Sequence, residues 1–162
     1  APAQTTPPST NTVPTEPAPG PIPPIPENIE IKIDANNGSL KRSMARSNAT
    51  GRYSLLTYNE EQSDYSINIP KTTNYNLVVR YSNDDISPID IVSILIDDEK
   101  VGDFLADDTG NYGYGWNVFT KTAVIPLGTI EQGSKKLSAR IDRADRYGIE
   151  LDLFTITNES EE

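Results

Sequence analysis

Tyr75–Asn76–Leu77–Val78–Val79–Arg80–Tyr81 sets Leu77, Val79 and Tyr81 two apart. That spacing puts them on one face of an extended strand and leaves Asn76, Val78 and Arg80 on the other. Ile29, Ile31 and Ile33 repeat the pattern upstream. Short runs of this kind, rich in Ile, Val, Tyr and Leu, recur from Asn28 onward between clusters of Asn, Asp and Gly. The reading predicts strands over Ile29–Asp34, Tyr53–Tyr58, Tyr65–Ile69, Tyr75–Tyr81, Ile89–Ile96, Lys100–Phe104, Asn117–Ile125, Lys136–Ile141 and Ile149–Ile156. Asp97–Asp98–Glu99–Lys100 reads as the tight connection of a hairpin. No segment has the period or length of a long helix. This many short strands with one apolar face each predict an all-β chain, an antiparallel β-sandwich or jelly roll of two packed sheets.

The chain ahead of these strands is of another kind. Residues 1–27 hold ten of the 13 prolines, interleaved with Thr and Ser. Such a stretch cannot bury enough apolar surface to offset its ordering entropy. Pro21–Ile22–Pro23–Pro24–Ile25–Pro26 favours polyproline II, because proline fixes φ and removes amide donors. It reads as a flexible linker with a semi-rigid spacer, or as a docking peptide for a proline-recognising domain. Its Thr/Ser-rich, charge-poor composition favours a spacer between modules of an extracellular or cell-surface protein. The expected organisation is therefore linker 1–27, one β-sandwich domain 28–158 and an acidic tail 159–162.

Composition narrows the chemistry. The 162 residues contain no cysteine and no histidine. Disulfides, thiol nucleophiles and every mechanism that needs an imidazole are thereby excluded. A net charge of -10 opposes binding to phosphate backbones or anionic membrane surfaces. The longest apolar runs, such as Ile94–Leu95–Ile96, fall far short of the roughly 20 residues that span a bilayer. With no charged-then-apolar leader at its start, the stretch reads as a processed or excised piece. Nucleic acid and membrane insertion are not expected; a monomeric module within a larger protein is.

The segment richest in binding chemistry is Asp107–Asp108–Thr109–Gly110–Asn111–Tyr112–Gly113–Tyr114–Gly115–Trp116–Asn117–Val118–Phe119. It places the only tryptophan, Trp116, with Tyr112 and Tyr114 in a glycine-rich loop. Aromatic rings free of the core offer flat apolar faces to the C–H face of a pyranose, while neighbouring amides and carboxylates bond its hydroxyls. The competing reading makes Trp116 an ordinary core anchor and packs the tyrosines over a sheet edge. Asp142–Arg143–Ala144–Asp145–Arg146–Tyr147 forms a charged loop before the last strand, and Arg146 there could grip an acidic sugar. A solvated turn with paired charges accounts equally for that pattern.

In their order along the chain, these pieces resemble carbohydrate-binding modules of families 6 and 35, galactose-binding-like β-jelly rolls appended to polysaccharide-degrading enzymes. The likeness runs from about Ile29 to Ile156. It comprises the alternating first strand, the Tyr-rich strand Tyr75–Tyr81, and the strand pair Val92–Asp97 and Lys100–Val101. It continues through two aromatics three apart, Trp116 and Phe119, a strand ending in Leu127–Gly128, and a closing stretch matched in part by Gly148–Ile149–Glu150–Leu151–Asp152. The resemblance implies a non-catalytic module that targets an attached enzyme to a polysaccharide. Trp116 takes the place of the sugar-stacking aromatic and Phe119 that of a second, more buried one. Tyr58 or Tyr53 would supply the opposing platform, and Glu150 stands where a ligand-bonding asparagine is common. A structural calcium is also implied, with Asp34 and Asp152 at the matching positions. Lys32 occupies the place of a further acid, and a Lys32–Asp152 ion pair would close the sandwich without metal. Two other functions fit the same residues. One is an adhesive or matrix module binding glycan or protein at a cell surface. The other is a small glycosidase using paired carboxylates such as Asp107 and Glu150.

Overall fold

The computed structural model describes residues 28–84, 90–107, 109 and 116–158. The linker 1–27, Tyr112, Tyr114 and the tail 159–162 lie outside them. Eleven strands follow one another among the described residues: β1 (Glu30–Asp34), β2 (Ser43–Ala45), β3 (Tyr53–Thr57), β4 (Gln62–Ile69), β5 (Thr73–Ser82), β6 (Asp90–Ile96), β7 (Glu99–Ala106), β8 (Thr120–Lys121), β9 (Ile125–Ile130), β10 (Gly133–Arg143) and β11 (Ile149–Asn158). They form two antiparallel sheets. One runs β2-β3-β11-β5-β8, with β1 also on β11 and β9 also on β5; the other runs β4-β10-β6-β7. Among the described residues, helical geometry is confined to single 3₁₀ turns at Ala35–Asn37 and Thr50–Arg52. The chain is the expected β-sandwich of jelly-roll type.

The two-residue period decides which side chains meet between the sheets. Leu77, Val79 and Tyr81 of β5 point inward with Leu151, Phe154 and Ile156 of β11, against Tyr65, Ile94, Leu137 and Ile141 of the second sheet. Tyr65 crosses the interior to pack edge-on against Phe154, with ring centroids 5.0 Å apart. Its hydroxyl donates to the Ala35 carbonyl at 2.7 Å, which satisfies a buried polar group at the sandwich edge. Burial also pushes that phenol far above its ordinary range.

The predicted hairpin closes β6 onto β7. Asp97 and Asp98 both have positive φ, 49° and 73°, the backbone of a type I′ turn that matches the twist of the flanking strands. Two expectations change. The strand predicted over Asn117–Ile125 is broken into β8 and the start of β9, because Thr122 turns its hydroxyl onto the Val79 amide at 3.1 Å and ends the ladder. The short β2 was not expected at all; Ser43–Met44–Ala45 is too brief and mixed to show a period.

A bulge in β11 lies beside the site. Leu151 stands opposite Tyr81 and Leu153 opposite Arg80, so Asp152 is the extra residue between them. Glu150 and Asp152, two residues apart, share the outer face of the larger sheet by ordinary alternation, and the bulge returns Phe154 and Ile156 to the core face after Leu151.

Candidate functional site

The β2–β3 connection, residues 46–52, folds across that outer face and buries the two carboxylates of β11. Glu150 accepts from Arg46 Nε at 2.8 Å and from Arg46 Nη2 at 2.6 Å, a two-pronged pair, and from Ser54 Oγ at 2.6 Å. The hydrogen bonds to Glu150 raise the Arg46 pKa above its ordinary value. Asp152 is wholly buried. Its Oδ1 accepts from the Thr50 amide at 2.9 Å, while Oδ2 accepts from Thr50 Oγ1 at 2.9 Å and from Arg80 Nη1 at 2.5 Å. Asp34 Oδ1 accepts from the Asn36 amide at 2.9 Å and starts the 3₁₀ turn. Gly51 in the overlying loop has φ +72°, and a Cβ there would lie 3.7 Å from Asp34 Oδ2. Lys32 is not the partner of Asp152. It stands opposite Thr155 in the ladder and lies 3.9 Å from Glu30.

Above this sealed floor is a rim of partly exposed aromatics. Trp116 is not part of the core cluster. It is held through its backbone, its carbonyl accepting from Ser82 Oγ at 2.7 Å at the end of β5. The next residue fixes the segment to the β2–β3 loop. Asn117 Oδ1 accepts from the Asn48 amide and its carbonyl from Asn48 Nδ2, both at 2.8 Å, and its Nδ2 donates to Ser47 Oγ at 2.7 Å. Tyr58 leaves β3 at the same end of the sheet. Glu150, between the two strands, is paired with Leu56 on one side and Ser82 on the other. Two strand spacings of about 4.8 Å therefore separate the β3 and β5 banks by about 10 Å. Tyr58 is 38% exposed and carries the Arg42 guanidinium 4.7 Å from its ring centroid. Arg42 also grips Glu61 with both terminal nitrogens, at 2.7 and 2.9 Å, and these bonds hold the Glu61 carboxyl below its ordinary range.

Between these banks the β10–β11 turn closes at Gly148, whose φ of +77° needs glycine; a Cβ there would fall 2.2 Å from the Thr57 carbonyl oxygen. Arg146 donates to the Tyr147 hydroxyl at 2.7 Å and lies over its ring at 4.9 Å. Tyr147 is 46% exposed. Sequence reading passed it over, although it sits in the charged loop already singled out and an exposed tyrosine beside an arginine is the available signal.

The residues expected at the site therefore divide. Trp116, Tyr58 and Arg146 come to one end of the larger sheet. Tyr53 is exposed but stands at the other end of β3, opposite Ala45, where its carbonyl accepts from Asn36 Nδ2. Glu150 belongs to the floor: buried beneath Arg46 and Ser54, it faces protein donors where the resemblance had implied a ligand. The same burial removes it as a partner for Asp107 in acid–base chemistry, which needs a carboxylate within reach of substrate. A half-exposed aromatic rim beside a charge-paired floor presents flat apolar faces next to hydrogen-bonding groups.

No family model matches this sequence, and no curated protein matches it. Solved structures do. A native family 35 carbohydrate-binding module from Clostridium thermocellum superposes with a TM-score of 0.64 at 18% identity, over 79% of this chain and 97% of that one. The C-terminal family 6 module of a marine laminarinase from Zobellia galactanivorans gives 0.64 at 16% identity, over 80% of this chain and all of the other. A module of Cellvibrio mixtus lichenase 5A, solved in complex with cellotriose, gives 0.63 at 15% identity, over 81% of this chain and 98% of that one. The chain shares the family 6/35 type of β-jelly roll. No helix among its described residues is long and apolar enough to cross a membrane.

Proposed function

We propose that this chain is a non-catalytic carbohydrate-binding module that brings an attached extracellular enzyme to a polysaccharide. One observation carries the reading: Trp116, the only tryptophan, lies outside the core cluster and is tied to the end of β5, at the same end of the larger sheet as the exposed Tyr58 and Tyr147. In a chain whose other large apolar side chains mostly fill the interior, rings left in solvent at one end suit stacking on sugar faces. Tyr112 and Tyr114 belong to the same glycine-rich segment and would extend the platform. Arg146 would bond sugar hydroxyls or a carboxylate from the far side. The Pro/Thr-rich segment 1–27 would set the reach between module and enzyme, so that anchoring raises the enzyme's local concentration on its substrate. Solved relatives in fold include modules of a laminarinase and a lichenase, which supports the accessory role.

The test is affinity electrophoresis over a polysaccharide panel, comparing the full chain with Trp116→Ala. Retention on at least one glycan, lost in Trp116→Ala while the unfolding midpoint is kept, is the expected result. Retention unaffected by Trp116→Ala would move the site to the sheet face. No retention on any glycan would replace this reading by that of an adhesive module with a protein partner.

A further inference from the structure

The resemblance implies a calcium at Asp34 and Asp152, whose oxygens would have to be free to hold it. Calcium takes about six to eight oxygen ligands, with enough carboxylates among them to balance its charge. Here Asp152 Oδ2 is already taken by Thr50 Oγ1 and the Arg80 guanidinium, and Oδ1 by the Thr50 amide. Asp34 gives one oxygen to the Asn36 amide. Lys32 adds a positive charge to the same first strand. No group of three or more acidic side chains that could hold a metal occurs among the described residues. This donor set does not make a calcium cage.

What it does contain is a cation supplied by the chain. The geometry points to Arg80 as the residue that neutralises the buried Asp152 in place of a divalent metal and positions the Trp116 segment. Arg80 is on β5, and its guanidinium joins three parts of the molecule. It donates to Asp152 on the last strand at 2.5 Å; Asp152 in turn holds the β2–β3 loop through Thr50; and the guanidinium lies 4.9 Å from the ring centroid of Phe119, three residues after Trp116. A guanidinium is suited to all three contacts, since its edge donates to a carboxylate while its flat face stacks on a ring. Metal chelation and an internal arginine solve the same problem, the neutralising of a buried carboxylate that holds a loop to the last strand. Arg80 does so at any calcium concentration.

Thermal unfolding of the full chain, in chelator and in millimolar calcium, tests the replacement without reference to sugar binding, so its outcome is separate from that of the proposed function. Equal midpoints are expected, and a midpoint lowered by the chelator overturns the assignment. Arg80→Gln leaves Asp152 buried without a countercharge, and its midpoint should fall by about 10 °C. Calcium should recover none of the loss, because Arg80→Gln frees a single position on Asp152 Oδ2 and leaves too few oxygen donors for the ion; recovery of the midpoint by calcium overturns the assignment. Should Arg80→Gln not fold, Arg80→Lys decides: a folded variant indifferent to chelator upholds the inference, and one destabilised by chelator refutes it. The positioning role has its own readout in the single tryptophan. Arg80→Gln should shift Trp116 emission to longer wavelength and increase its quenching by acrylamide, and unchanged emission would sever Arg80 from the binding segment.

Discussion

Two arginine–carboxylate pairs a few residues apart show how differently the floor and the rim of this site are built. Arg46 and Arg42 flank the short β2, and each grips a glutamate with two nitrogens. Arg46 holds Glu150, whose side chain is 2% exposed; Arg42 holds Glu61, whose side chain is 28% exposed. The chemistry is the same and the surroundings are not. In the floor, water cannot take over for Glu150 when Arg46 is lost, so that carboxylate depends on its partner. At the rim, solvent competes for both charges throughout, and the pair serves chiefly to hold Arg42 over the Tyr58 ring.

The sharpest way to break this comparison is to remove each arginine in turn. Arg46→Ala leaves the Glu150 carboxylate buried with only the Ser54 hydroxyl, and should cost about 3–5 kcal/mol of unfolding free energy. Arg42→Ala leaves Glu61 able to hydrate and should cost about 1 kcal/mol or less. Urea unfolding of the two variants measures both. Equal losses would mean that the β2–β3 loop opens readily to water and that the floor is no more sealed than the rim.

A second perturbation acts where floor and rim meet. Gly148→Ala forces a side chain into the left-handed region and drives its Cβ against the Thr57 carbonyl. The backbone strain alone is about 1–3 kcal/mol, to which the clash adds. Because the contact lies at the mouth of the site, the variant should also weaken glycan retention, whereas Arg46→Ala at a temperature where it remains folded should weaken it less. Affinity electrophoresis of both, beside their unfolding curves, separates the two effects.

The fold was legible where burial imposes a period. Leu77, Val79 and Tyr81, or Ile29, Ile31 and Ile33, can alternate as they do only if one face of each strand is covered. The Asp97–Asp98 turn was legible because few residue pairs suit its backbone. The short β2 lacks enough residues for a pattern, and the break at Thr122 depends on one hydroxyl competing with a ladder bond. At the site, the resemblance singled out Glu150 and Asp152 for a ligand and a metal, and the structure gives both of them arginine partners instead. Glu150 and Asp152 lie 104 and 72 residues from Arg46 and Arg80 respectively, a separation across which no strand period pairs side chains. Lys32 was the partner expected for Asp152 without metal because it stands where the resembled modules carry a further acid; the ladder register places it opposite Thr155 instead. Whether Trp116 filled the core or stood outside it was likewise a question of packing, since the same glycine-rich neighbourhood permits either.

The smallest expected effect is a pH dependence confined to the rim and the second sheet. Hydrogen bonds and charge from Arg42, aided by the Tyr58 amide, lower the Glu61 pKa from its ordinary 4.5; Gln62 and Ser138 do the same for Asp64 from 3.8. Both carboxylates thus bind protons less readily folded than unfolded. Their contribution to stability is complete above the unfolded values and is lost as pH falls through the depressed folded ones. The unfolding midpoint should accordingly hold steady from neutral pH down to about 4.5 on account of these groups and decline below it. Arg42→Ala should flatten the part of that decline due to Glu61 while leaving the part due to Asp64, which lies on the other sheet. If the variant declined as steeply as the parent, the Arg42–Glu61 pair would contribute nothing that acid can remove, and its role at the rim would reduce to the contact between Arg42 and the Tyr58 ring.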